Sequence, residues 1–345
     1  MKTRAFVINE PGKGSIRTYE IPELKPNELL VKVKACGVCT TDRRIFGGKL
    51  NVPLPVIGGH EVSGEVVKTG EDVDDINIGD HTALDTINRC GHCFYCVRGM
   101  DNLCINSRKG RKIEDTFLIA GGFSEFIIVK RKQVFVVNGN TNYETLSLSE
   151  PLSCCIHSVK KASLTPGDTV LILGGGTMGV LHALVASAFG TLPIISEPNS
   201  ERRDFVSSLG IKTIEPNQCE ETSKKINRGL GFDAVFITAP VASAINDSLN
   251  YVRKMGTVVI YTSLHPSNEM SFDINKLHYS EVKITGTEGR TMEDFREATM
   301  MISKSIIDIS SLVTKTIKLN ELNEELKKKP EGNEQRTVVL PQEKF

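Results

Sequence analysis

The chain has no tryptophan, no net charge and no visible export signal. Its 42 basic residues are balanced by 42 acidic ones over 345 positions. That balance removes the electrostatic footprint expected of a nucleic-acid binder or a polybasic membrane binder, so neither partner is expected. The N-terminal MKTRAFVINE contains no apolar segment and no small-residue cleavage site, and a cytoplasmic location is the expectation. Nine cysteines, an odd number, fit a complete disulfide framework poorly, and four of them are clustered, which points to a metal. Charge is also absent locally. Thr169–Ser196 holds no Asp, Glu, Lys or Arg, a length that qualifies formally as a membrane span. Gly174-Gly175-Gly176, Gly190 and Pro193 interrupt it, however. A buried βαβ unit explains such a run better, because parallel strands covered on both faces are continuously apolar.

What is present divides the chain into two textures. Residues 1–150 carry short β-like runs, Ala5–Ile8, Leu29–Ala35, Glu61–Thr69 and Phe126–Val129, separated by Gly, Pro and Asp. After Pro166-Gly167-Asp168, strand-like runs at 170–173, 194–196, 234–238 and 258–261 alternate with helical segments near 178–189, 200–209, 219–229 and 241–253. That alternation predicts a doubly wound parallel sheet. A helix over Met292–Ser303 and a last strand over Arg336–Leu340 follow.

Three constellations carry chemistry. Cys90, Cys93, Cys96 and Cys104 place four thiols within fifteen residues, enough to close a tetrahedral shell around one zinc. Such a site has no open position, so its role would be structural; an iron–sulfur cluster is the rival. Gly174-x-Gly176-x-x-Gly179 follows a strand-like run and opens a helix, with Glu197 ending the next apolar run. This is the context of a dinucleotide turn: Gly174 for the bend, Gly176 for close approach of a pyrophosphate, Gly179 for packing of helix on sheet. Finally, Cys39, His60, Glu61 and Glu150 are all capable zinc donors. On spacing alone, a packed thiol, a loop histidine and a helix-capping carboxylate account for them better than a metal site does.

The order of Cys36-Gly37-Val38-Cys39-Thr40-Thr41-Asp42, Gly58-Gly59-His60-Glu61, Ile78-Gly79-Asp80, the four-cysteine segment, Gly121-Gly122-Phe123 and Glu150-Pro151-Leu152-Ser153 resembles the zinc-dependent medium-chain alcohol and polyol dehydrogenases, the sorbitol dehydrogenase type in particular. The resemblance runs to the terminal Arg336-Thr337-Val338-Val339. It implies an α/β protein: a GroES-like β-rich catalytic domain over 1–152 and 288–345, with the zinc lobe at about 88–108, and an inserted Rossmann domain over 153–287 that binds NAD. It implies two zinc ions per chain and a homodimer or homotetramer. Cys39, His60 and Glu150 would hold the catalytic zinc, with Glu61 able to approach it. Thr41 would take the proton of the substrate alcohol, and Asp42 would orient His60. Gly174, Gly176, Gly179, Glu197, Arg202 and Arg336 would bind the cofactor, Glu197 favouring NAD over NADP against the nearby Arg202 and Arg203.

The implied activity is hydride transfer between NAD and a secondary alcohol of a polyol, sugar, cyclitol or aminocyclitol. The alternatives are a non-catalytic binding protein of the same fold, or a carbonyl reductase. Two positions depart from the family. Arg44 stands where many members have the histidine that ends the proton relay, and Ile87 where threonine dehydrogenases have a histidine. The basic cluster Arg108-Lys109-Gly110-Arg111-Lys112 reads as a solvated loop, with contact to a phosphorylated or acidic substrate as the alternative. Cys36, Cys154, Cys155 and Cys219 read as packed thiols, and His157, His182, His265 and His278 as structural or surface residues.

Overall fold

The computed structural model describes residues 1–107, 111–137, 141–264, 267, 269, 271 and 273–343. Arg108, Lys109, Gly110 and His265 lie outside the described residues. The chain divides into two units, Met1–Ser153 with Thr291–Phe345, and Cys154–Arg290.

The first unit is built on two sheets. In one, Lys13–Glu20, Lys2–Glu10, Val56–Ile57, Thr116–Leu118 and Arg111–Ile113 lie side by side in that order. In the other the order is Val134–Val137, His81–Asp85, Glu61–Thr69, Glu28–Gly37, Arg336–Leu340 and Val313–Lys318, and Phe126–Lys130 also pairs with Glu28–Gly37. The strand nearest the C-terminus is thus interior. It runs antiparallel to Glu28–Gly37, with Val338 opposite Gly37, and parallel to Val313–Lys318. Phe6, Ile8, Leu29, Val31, Val62, Leu84, Phe123 and Val339 meet in the core, contributed by distant parts of the sequence.

The second unit carries a parallel sheet in the order Lys212–Ile214, Leu192–Ser196, Thr169–Leu173, Phe232–Ile237, Val252–Ile260 and Lys283–Gly286. The strand order reverses beside Thr169–Leu173, as in a doubly wound dinucleotide fold. The uncharged run from Thr169 to Ser196 is strand, turn, helix Thr177–Ala188 and strand. Among the described residues, no helix is long and apolar enough to cross a membrane.

Two helical expectations are corrected. The segment 219–229 is helical only over Cys219–Ser223; Asn227 and Arg228 take positive φ, 50° and 60°. Asn227 leaves helical geometry because its side-chain amide donates to Thr169 Oγ1, the Gly231 carbonyl and Asp233 Oδ2, each at 3.0 Å, an outlet typical of asparagine. The segment 241–253 is helical over Ala242–Asp247, tightens to a 3-10 turn over Ser248–Asn250 and then enters the strand Val252–Ile260. That strand begins well before the apolar run 258–261 that signalled it.

Candidate active site

The strand Glu28–Gly37 delivers the chain to a short helix, Thr40–Phe46, with Cys39 at its N-cap. Asp42, in the first turn, is buried. Its Oδ2 accepts the Cys39 N–H at 3.0 Å and its Oδ1 accepts the Gly59 N–H at 3.1 Å. One carboxylate therefore fixes the backbone at Cys39 and next to His60. The His60 Nδ1 stands 3.7 Å from Asp42 Oδ1. Burial opposes a charge on His60, but Asp42 and Cys39 outweigh it and its pKa lies well above the ordinary value. Burial likewise opposes ionisation of Asp42, yet His60 and the two amides win and its pKa is lowered.

Glu61 opens the strand Glu61–Thr69 and is fully buried. Among the described residues, neither carboxylate oxygen has a hydrogen-bond partner. The Arg336 Nε lies 3.3 Å from Oε2, while another nitrogen of the same guanidinium donates to the Val38 carbonyl at 3.1 Å. Burial raises the Glu61 pKa, Arg336 opposes the rise and Glu150 adds to it. The Cys39 Sγ, a His60 ring nitrogen and a Glu61 oxygen all lie within 4.8 Å of one another. Glu150, buried in the first turn of Ser149–Lys160, stands outside that group of ligand atoms, although its charge reaches Glu61. Thr41 Oγ1 is 3.8 Å from Cys39 Sγ. A thiol, an imidazole and a buried carboxylate with bare oxygens form a donor set that fits zinc.

The four-cysteine segment also fits one. Its sulfurs lie within 4.8 Å of one another, with Cys90 Sγ and Cys96 Sγ 3.9 Å apart. Bonds of about 2.3 Å to a tetrahedral zinc place sulfurs about 3.8 Å apart. The lobe is fastened by Asp101, which accepts the Met292 N–H at 3.2 Å and pairs with Arg89 Nε at 3.2 Å.

In the second unit, the glycine turn joins Thr169–Leu173 to Thr177–Ala188. Gly174 has φ +115°, and a Cβ at Gly179 would meet the Gly174 carbonyl oxygen at 1.9 Å, so the close crossing of turn and helix requires glycine there. Gly176 is the N-cap and has open space where a Cβ would stand. Glu197 is buried beside the turn. Its Oε2 accepts the Gly175 N–H at 2.7 Å and its Oε1 the Asn199 N–H at 3.0 Å. Arg203 is committed to the carbonyls of Glu197 and Pro198 and to Glu215 Oε1 at 2.8 Å. Arg202 is half-buried, and its backbone N–H caps onto Asn199 Oδ1. The contact of Arg336 with Glu61 and the hold of Asp101 on the lobe were not foreseen; both join residues far apart in sequence, and no local pattern announces them.

Residues 25–139 match the family model of the alcohol dehydrogenase GroES-like domain, and residues 177–304 that of the zinc-binding dehydrogenases. The chain belongs to the zinc-dependent medium-chain alcohol and polyol dehydrogenases. It is 29% identical to D-arabitol-phosphate dehydrogenase of Enterococcus avium, over 92% of this chain and 91% of that protein. It is 30% identical to L-threonine 3-dehydrogenase of Caldanaerobacter subterraneus, over 93% and 94%. A protein of Sinorhizobium meliloti 1021, described as a zinc-binding dehydrogenase and solved bound to NADP, superposes with a TM-score of 0.90 at 31% identity, covering 99% of this chain and all of that one. The chain is accordingly an oxidoreductase of the zinc alcohol dehydrogenase type, acting on a small-molecule alcohol with a nicotinamide cofactor.

Proposed function

We propose that the enzyme transfers hydride between NAD and a secondary alcohol of a polyol, sugar, cyclitol or aminocyclitol, with one zinc near Cys39 and a second in the four-cysteine lobe. The observation that carries this reading is the convergence of Cys39, His60 and Glu61 within 4.8 Å, with the Thr41 hydroxyl beside Cys39. A zinc ion there supplies Lewis-acid polarisation of an alcohol oxygen, and the nicotinamide supplies the hydride acceptor. The residues do the rest. Cys39, His60 and Glu150 would hold the metal, with Glu61 close enough to approach it, which leaves a position for the alcohol oxygen. Asp42 keeps His60 in its ligating orientation. Thr41 would take the alcohol proton while its own hydroxyl proton passes on towards the cofactor ribose and solvent, and the hydride would pass from the alcohol carbon to the nicotinamide. Arg336, seated against Glu61, is the cation available to that carboxylate and to the cofactor.

In the second unit, Gly174, Gly176 and Gly179 would admit the pyrophosphate at the start of Thr177–Ala188. Glu197 would receive the adenosine ribose and repel a 2′-phosphate, with Arg202 beside it. Ile87, in place of the histidine of threonine dehydrogenases, is the reason L-threonine is not the substrate proposed. A homodimer or homotetramer is the assembly proposed. A cytoplasmic location is proposed, because the clustered thiols read as metal ligands and not as a disulfide framework.

The test is a panel of polyols, cyclitols and amino alcohols offered with NAD and with NADP, following reduced cofactor. Turnover is expected with NAD at least tenfold more efficiently than with NADP. Thr41→Val should lower kcat by roughly two orders of magnitude while zinc stays bound. Undiminished turnover in that variant removes Thr41 from the proton path, and equal efficiency with NADP removes the NAD assignment.

A further inference from the structure

The peptide plane that opens the glycine turn is gripped from both edges. Gly174 leaves the strand Thr169–Leu173 with φ +115°, and a trans peptide sets its carbonyl and the next N–H on opposite sides. That N–H, of Gly175, donates to Glu197 Oε2 at 2.7 Å. On the other edge stands Thr238, half-buried, directly after the strand Phe232–Ile237. Its hydroxyl reaches the Leu173 carbonyl at 2.9 Å and the Gly174 carbonyl at 3.2 Å. The Leu173 carbonyl already accepts the backbone N–H groups of Thr238 and Ala239, at 3.1 and 2.9 Å, so what the hydroxyl adds is its hold on Gly174. The same oxygen would stand 3.0 Å from a Cβ on Gly174 and 3.1 Å from one on Gly179. One hydroxyl therefore lies against both glycines that shape the turn, from a position 64 residues beyond the first of them.

We propose that Thr238 is a positioning residue for the cofactor, its hydroxyl holding the glycine turn in the shape that receives the pyrophosphate. This rests on the reading of Gly174, Gly176 and Gly179 as the dinucleotide turn. The amides that would meet a pyrophosphate lie beyond Gly175, where the helix Thr177–Ala188 begins. Gly176 has nothing within 4 Å of the place its Cβ would take, so this side of the turn is open. An open side serves binding only if the backbone beside it keeps its direction. Glycine offers little resistance to rotation of its own, and the hold must come from partners. Glu197 grips the N–H edge of the first peptide and Thr238 the carbonyl edge. Without the hydroxyl, the Gly174 carbonyl loses that donor and the turn keeps a side-chain hold on one edge. The ordering it then lacks must be restored when the cofactor binds, and affinity falls. Valine keeps the shape of threonine with a methyl group that donates nothing, whereas serine keeps the donor.

The test compares the zinc-loaded parent with Thr238→Val, Thr238→Ser and Gly176→Val. NADH and NADPH are titrated by fluorescence, the tighter serving as the cofactor. ADP-ribose, or its 2′-phosphate where NADPH binds tighter, is titrated by calorimetry, and melting temperature and zinc content check the fold. Thr238→Val is expected to weaken the reduced cofactor and the ADP-ribose probe alike, by about tenfold, and Thr238→Ser to bind both as the parent does. Thr238→Ala takes the place of Thr238→Val if the added methyl prevents folding. Gly176 has φ −75° and open surroundings that accept a side chain, so Gly176→Val should fold and still bind the cofactor poorly. Parental affinity in Thr238→Val overturns the proposal, also where the melting temperature falls, because the hydroxyl then acts on stability alone. An equal loss in Thr238→Ser overturns it too, by assigning the effect to packing. Parental affinity in Gly176→Val removes the turn as the cofactor site, and the proposal with it, whatever the Thr238 variants do.

Discussion

A methyl group placed on Gly37 would stand 2.0 Å from the Glu61 Oε2 and 3.0 Å from the Glu61 Cβ. The carboxylate alone can swing away, but the Cβ belongs to a strand paired residue for residue with Gly37. Gly37→Ala is therefore expected to push Glu61 out of the ligand group, lower stability by about 1–3 kcal/mol and empty one zinc site, leaving the lobe zinc in place. Zinc analysis with thermal denaturation decides it, and two zincs at parental stability would show that Glu61 has room to spare. His182 gives a second case. Its ring is fully buried against Phe236 and Tyr261, Nδ1 faces the Met178 carbonyl at 2.6 Å and Nε2 has no hydrogen-bond partner among the described residues. Burial, opposed in part by that carbonyl, pushes its pKa down to about 4. The unfolded chain, with an ordinary value near 6.5, takes up the proton first. Stability present above pH 6.5 is then lost as pH falls towards 4, at up to about 1.4 kcal/mol per pH unit. Between pH 7.5 and 5.0 the parent should lose about 2 kcal/mol more than His182→Phe in urea unfolding, and parallel losses would refute the assignment. His182 sits in a helix so uniformly apolar that its sequence did not distinguish a buried ring from a surface one. Cys39, His60 and Glu61 were legible as donors, but their convergence needed the fold.

At the scale of elements, the four-cysteine lobe is held by something other than an apolar core. Phe94, Val97 and Ile105 are 59, 64 and 71% exposed, and the regular structure consists of two short turns, Cys96–Arg98 and Asp101–Leu103. A segment that buries so little needs a metal to order it. Cys96→Ser is expected to lose one zinc per chain and lower the melting temperature while the zinc near Cys39 remains, and unchanged zinc stoichiometry would refute the structural site. The lobe was legible because cysteine spacing is a local signal. Helix Met292–Ser303 was legible too, since Thr291 and Asp294 cap its start. The segments 219–229 and 241–253 were not, because their helices stop where Asn227 finds partners on other strands and where Val252–Ile260 joins the sheet.

At the scale of the molecule the two units differ in how they depend on chain continuity. The sheet of the second unit runs from Lys212–Ile214 to Lys283–Gly286 without a strand from outside Cys154–Arg290. Its core, from Leu171 and Ile194 to Phe232, Val235 and Val258, lies inside the same span. The first unit is discontinuous. Arg336–Leu340 sits between Glu28–Gly37 and Val313–Lys318, and Val339 pairs with Cys36, so the strand leading to Cys39 has a neighbour from the far end of the sequence. The β-like texture of residues 1–150 says nothing of this, because non-local pairing leaves no periodicity in either partner. Without residues 291–345, the Cys36–Gly37 end of the strand Glu28–Gly37 would present an unpaired edge, and Leu319, Leu322 and Val339 would be missing from its core. A fragment spanning 154–290 is therefore expected to unfold cooperatively on its own. A fragment spanning 1–153 should aggregate or fail to fold, and should bind no zinc through Cys39 and His60. Circular dichroism with denaturant titration and zinc analysis of the two fragments checks both halves. A stably folded, zinc-binding 1–153 would mean that the C-terminal strand covers the first unit without being required to build it.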